Sequence, residues 1–133
     1  MNSEILTRTM NGTEPPPNLG DRLLSYATRV VRLSEKLGRT FAQQHSPKQL
    51  LRSGTSPMAH HAEAQSAESN ADFIHKLKIA LKELRETHRW LQLIQNVPLI
   101  EKPESLNSLI DETDQLERIL NASITTVKSR PRK

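Results

Sequence analysis

Apolar residues recur along most of this chain at alternating steps of three and four, the spacing that gathers them on one side of an α-helix. The series Leu23, Ala27, Val30, Ser34, Leu37 and Phe41, widened by Leu24 and Val31, predicts a first helix over 19–44. Asp21 falls in its first turn, where a negative charge suits the helix dipole. Ser46-Pro47-Lys48-Gln49 then carries a start signal, with Ser46 as cap, Pro47 at the first helical position and Gln49 closing a capping box. It predicts a second helix over 47–67, with a small-residue inward side of Leu50, Gly54, Met58 and Ala62. Gly54-Thr55-Ser56-Pro57 interrupts that helix, which either kinks at Pro57 or stops and restarts with Ser56 as cap.

The third segment is the richest. Ser69 with Asp72 three residues on gives a cap, and a helix is expected over 70–96. On a wheel of 100° per residue it has three faces. Phe73, Leu77, Ala80, Leu84, Thr87, Leu91 and Ile94, widened by Ile74, Leu81 and His88, form an inward face. Lys78, Lys82, Arg85 and Arg89 form a cationic stripe. Asp72, Lys76, Ile79, Glu83, Glu86 and Trp90 form a third stripe that mixes charge with a large aromatic, as a subunit interface would. Val97-Pro98 and Lys102-Pro103 bracket a loop, and a fourth helix is expected over 104–128. Its buried stripe is Leu106, Leu109, Thr113, Leu116, Leu120, Ser123 and Val127, with Ile110 and Ile124 beside it. Four amphipathic helices on short connections predict an all-α, antiparallel up-down four-helix bundle over residues 18–128.

Composition agrees with that class. The 133 residues suit one domain, hydrophobic content is 35%, aromatics are 3% and glycines number 4. Residues 1–17, ending in Pro15-Pro16-Pro17, read as a disordered leader without the basic start and apolar run of a secretory signal. No run of 18 apolar residues is present, so no membrane span is expected and the expected setting is cytoplasmic. With no cysteine, thiol chemistry and disulfides are excluded.

Charge is distributed unevenly. The formal net charge is +4, and Lys128, Arg130, Arg132 and Lys133 account for all of it. Residues 129–133 are thus a basic tail. Residues 21–52 hold seven basic and two acidic side chains, whereas 101–117 hold one basic and six acidic. Helices so charged would choose each other, within a subunit or between subunits.

The block RSGTSPMAHHAEAQSAESNADFIHKLKIALKELRETHRWLQLI resembles the core of the bacterial four helix bundle protein family. That family includes proteins encoded in intervening sequences of 23S rRNA genes, and it is related to the accessory variability proteins of diversity-generating retroelements. The matching positions are Arg52, Ser53, Ser56, Ala59, Glu63, Ala64, Glu68, Ser69, Asp72, Phe73, Lys76, Ala80, Lys82, Glu83, Glu86, Thr87, Trp90 and Leu91. Where relatives usually read Ser-Ile-Gly-Ala-Asn, this chain has Ser56-Pro57-Met58-Ala59-His60, so His60 must replace the asparagine in any interhelical polar contact. The resemblance implies a small helical subunit assembled as a ring-like homopentamer, with no established enzyme activity. A reverse transcriptase partner follows only by analogy with the retroelement relatives.

Candidate chemistry is sparse. Di-iron carboxylate bundles use Glu-x-x-His on two helices, and that spacing is absent; Asp72-x-x-His75 stands alone, and His60, His61 and Glu63 could hold a metal only loosely. Glu83 and Glu86, beside Lys76 and Trp90, suit ion pairing better than acid–base catalysis. No metal, cofactor or catalytic residue is therefore expected. Trp90 is read as an interface anchor together with Asp72, Lys76, Ile79, Glu83 and Glu86. Lys78, Lys82, Arg85 and Arg89, with Lys128, Arg130, Arg132 and Lys133, are the candidate contacts to RNA or DNA phosphates. The expectation is a non-enzymatic homo-oligomeric accessory or scaffold protein that binds nucleic acid weakly and without sequence preference. The alternative is a structural or protein-binding module with no nucleic-acid role.

Overall fold

A computed structural model describes residues 18–37 and 40–130, with Phe41 as backbone only. Its elements are α1 (Leu19–Lys36), α2 (Phe41–Gln65), α3 (Asn70–Asn96), and a 3-10 turn (Pro103–Leu106) that runs into α4 (Asn107–Lys128). The described residues are thus all-helical, with four helices and no strand.

Three helices begin at a side chain that takes up a free amide. Asn18 Oδ1 accepts from the Asp21 amide at 2.8 Å, and Ser69 Oγ accepts from the Asp72 amide at 3.1 Å. Thr40 and Gln43 make a full capping box: Thr40 Oγ1 accepts from the Gln43 amide, and Gln43 Oε1 from the Thr40 amide. That box moves a boundary. α1 ends at Lys36 rather than 44, and α2 begins at Phe41 rather than 47. Ser46 is consequently a buried helical residue, not a cap, and Pro47 and Pro57 both lie inside α2. The helix runs without a break to Gln65, so it does not stop and restart at Ser56. A proline in a helix interior costs about 3 kcal/mol. Packing on both sides of α2, against α1 and α3, offsets that cost.

The inward face of α2 is Ser46, Leu50, Ser53, Gly54, Pro57 and Ala64, with Met58 partly buried; Ala62, expected inward, is exposed. The buried proline ring serves there as an ordinary apolar side chain. On α1 the stripe is Leu23, Tyr26, Ala27, Val30, Leu33 and Leu37. Leu24, expected beside it, is 55% exposed, and Val31 is half-buried. The stripe widens on its other side, through Tyr26 and Leu33. α3 buries Leu77, Ala80, Leu81, Leu84, Thr87, Leu91 and Ile94, its bounds and inward face as expected. α4 buries Leu109, Thr113, Leu116, Leu120, Ile124 and Val127 behind the short 3-10 start. The leader 1–17, Gly38, Arg39, the Phe41 side chain, Arg132 and Lys133 lie outside the described residues.

Packing is broadest between α2 and α3, then between α3 and α4 and between α1 and α2; α1 and α4 meet only narrowly. Polar groups bridge that narrow seam. Arg22 pairs with Glu112 at 2.5 Å, realising the charge complementarity of the two helices within one chain. Arg29 Nη2 donates to Ser108 Oγ at 2.8 Å. The buried Tyr26 hydroxyl lies 2.6 Å from Thr113 Oγ1, and burial pushes its ionisation well above the ordinary value of 10.0.

Candidate nucleic-acid interface

The cationic stripe of α3 exists as a surface because the helix's inward face is so fully used. With Leu77, Ala80, Leu81 and Leu84 buried, Lys78, Lys82 and Arg85 are carried outward, and Arg89 follows one turn on. All four are exposed, and among the described residues none pairs with a carboxylate. Arg89 Nη1 donates to the neutral Gln92 amide oxygen at 3.2 Å.

The end of α4 returns to the same place. Contact with the Lys78 side chain, reinforced by its like charge, holds Lys128 below the usual lysine range. Lys78 and Lys128, fifty positions apart, are therefore neighbours. The fold joins the α3 stripe to the start of the basic tail, where Arg130 is also exposed. Two ammonium groups side by side without a carboxylate repel each other, and a phosphate between them would relieve that repulsion.

The third stripe has a different fate. Asp72, Lys76, Ile79, Glu83, Glu86 and Trp90 are each half-buried, and Lys76, Glu83, Glu86 and Trp90 meet side chains of α2 in the same chain. Arg52 donates to Glu83 Oε2 at 2.8 Å and also to Glu86 Oε2. Glu86 Oε2 accepts from Trp90 Nε1 at 3.0 Å as well. Lys76 Nζ lies 3.5 Å from Glu63, and the His45 ring meets the indole edge-on at a centroid distance of 6.1 Å. Both carboxylates thus tie α3 to α2. The partners on α2 escaped the reading of the sequence, although His45, Gln49, Arg52, Ser56, His60 and Glu63 recur at helical spacing and form a polar stripe that could have revealed them. Beyond Trp90 the same α3 stripe continues at steps of three and four into Leu93 and Val97, which are 45% and 56% exposed.

Among the described residues His60 finds its polar partner on its own helix: its Nδ1 lies 3.4 Å from Glu63 Oε2 on α2, a contact that also lowers the Glu63 pKa. Burial lowers the pKa of His61. Among the described residues no three His, Asp or Glu side chains converge as metal ligands, and no helix is long and apolar enough to cross a membrane.

A helical bundle with an unpaired cationic stripe and a satisfied carboxylate cluster defines a class rather than a chemistry. The chain belongs to the 23S rRNA-intervening sequence protein family, whose model matches residues 21–122. It is also similar to a crystal structure of a protein of unknown function from the S23 ribosomal protein family of Bacteroides thetaiotaomicron. The two share 38% identity with a TM-score of 0.75, over 80% of this chain and 98% of that one. No curated protein matches, and no enzymatic family is indicated.

Proposed function

We propose that the chain is a non-enzymatic accessory or scaffold subunit of the cytoplasm that assembles with copies of itself and binds nucleic acid without sequence preference. The observation that carries the nucleic-acid reading is the unpaired Lys78, Lys82, Arg85 and Arg89 stripe, joined at Lys78 and Lys128 to the basic tail. Cations spaced over three turns follow a phosphate backbone, and a five-fold ring would repeat them around its rim. Base stacking contributes little, because the aromatic residues are few, Tyr26 is buried in the core and Trp90 is half-buried with its indole N–H held by Glu86.

The helices of this subunit run alternately up and down. Contacts that climb one helix while descending the next support this: Val30 with Gly54 and Gly20 with His61, Arg52 with Glu86 and Glu63 with Lys76, His88 with Glu117 and Gln95 with Asn107. Self-association uses the outer edge of the Asp72–Trp90 stripe and its apolar extension, Leu93 and Val97. These large apolar side chains, left exposed beside a half-buried indole, suit the core of an interface.

Two measurements test the two halves separately. Binding of single-stranded RNA should weaken steeply with salt, and Lys82→Glu with Arg85→Glu should lower affinity at least about ten-fold and flatten the salt slope by about 1.4, roughly 0.7 per lost contact. Affinity undetectable at low salt, or untouched by the double change, overturns the nucleic-acid reading. Native mass should give a closed oligomer, expected as a pentamer, that Leu93→Glu with Val97→Glu dissociates. A monomer at micromolar concentration removes the assembly half.

A further inference from the structure

We propose that the cleft between the end of α1 and the segment entering α4 binds a single-chain aliphatic anion, a linear alkyl tail ending in a carboxylate or phosphate. The cleft has a volume of about 790 Å³, within the range of small-molecule sites. It opens beyond the Arg29–Ser108 contact, at the far end of the seam from the Arg22–Glu112 pair. Its floor is aliphatic: Leu33 of α1, Leu109 of α4, and Leu99, Ile100 and Leu106 of the connecting segment. That segment is pinned, since Gln43 Nε2 donates to the Leu99 carbonyl and Gln95 Nε2 to the Pro103 carbonyl. No aromatic ring is among the described lining residues.

The rim carries the opposite character. Arg29, Arg32 and Lys36 line one side at helical spacing, and Lys102 stands on the connecting segment. Glu101 is the sole acid among the described lining residues, which leaves a surplus of three positive charges. Among the described residues none of these four cations pairs with a carboxylate, although α4 is acidic; Arg29 instead donates to the Ser108 hydroxyl. Uncompensated cations above an aliphatic floor complement a ligand with a charged head and an apolar tail. Inorganic phosphate would use only the rim, and a neutral alcohol only the floor.

The test uses the full chain with octanoate, decanoate, dodecanoate and dodecyl phosphate below their micelle concentrations, followed by titration calorimetry. One ligand per chain is expected, with affinity rising about three- to four-fold per added methylene until the cleft is filled. The carboxylate and phosphate arms show which head group the rim prefers. Arg32→Glu with Lys36→Glu changes two exposed side chains and should weaken binding by at least about ten-fold through like-charge repulsion. Arg118→Glu, the same kind of change away from the cleft, should leave binding unaltered. The chain-length series needs no variant and so stands even if the double change harms folding. Dodecanol binding as well as dodecanoate, inorganic phosphate binding as well as dodecyl phosphate, or indifference to the rim change each overturns the proposal. So does a short oligoadenylate that binds as tightly as dodecanoate and loses affinity with the same two changes, since the rim would then belong to a phosphate-backbone surface.

Discussion

Changing Gly54 to alanine and Val30 to alanine together is expected to cost far less stability than the two single changes summed. A Cβ on Gly54 would sit 2.6 Å from Val30 Cγ1, 2.8 Å from Cγ2 and 3.1 Å from Cβ. Val30 is fully buried, and its β-branched side chain has little freedom to turn away. Gly54→Ala therefore forces α1 and α2 apart. The overpacking penalty of about 1–3 kcal/mol outweighs the gain of roughly 0.5–1 kcal/mol from replacing a helical glycine. Val30→Ala alone opens a void and loses about 2 kcal/mol. In the double variant the new methyl occupies part of that void and α2 keeps the helix-propensity gain. A coupling of about 1–2 kcal/mol in its favour should appear in chemical denaturation. Strict additivity would mean that the two helices do not touch at this point.

Thr87→Val should destabilise the protein by about 2 kcal/mol, whereas the double change with Ser53→Ala should restore most of the loss. Ser53 and Thr87 are both wholly buried, and their hydroxyls lie 2.8 Å apart between α2 and α3. Thr87 also reaches the Glu83 carbonyl of its own helix at 2.8 Å. Among the described residues the Ser53 side chain has Thr87 as its hydrogen-bond partner and no other. Valine matches threonine in shape but strands the Ser53 hydroxyl, whose desolvation is then uncompensated. Ser53→Ala alone should cost less, since Thr87 keeps its backbone acceptor. Thermal and denaturant unfolding of the three variants checks the order. Equal costs for the two single changes would contradict the asymmetry.

Much of α3 was legible because seven turns of one helix sample its periodicity many times over. Its bounds, its cap at Ser69 and its buried face all follow from residue types alone. The α1–α2 junction was not legible in the same way. Thr40-x-x-Gln43 and Ser46-x-x-Gln49 are both capping-box patterns, and local propensity does not choose between them. The earlier start prevails in a helix whose Ser46, Leu50, Ser53 and Pro57 are buried, a tertiary gain large enough to carry two prolines. For the same reason Leu24 points outward while Tyr26 turns in: a stripe of hydrophobic residues fixes a helix's amphipathic axis only to within a side chain's width, and the neighbours set the rest.

The candidate surfaces divide along the same line. The cationic stripe could be read directly, since four cations at helical spacing opposite a buried face must emerge together. Its continuation into Lys128 could not, because that contact joins positions fifty residues apart. Glu83, Glu86 and Trp90 were legible as one face, but not that Arg52 and His45 would cover much of it.

By itself, then, the order of residues determined that this protein is helical, where three of its four helices start to within a few residues, which side of α3 is buried and which cations share a stripe. These are local properties, set by a 3.6-residue period and by the side chains that cap a helix. Only the tertiary structure decided how α2 bridges its prolines, which acids Arg52 holds, and that the end of α1 and the segment entering α4 frame a basic-rimmed apolar cleft. Those outcomes depend on the distance between helices, and that distance is set by packing rather than by any one segment.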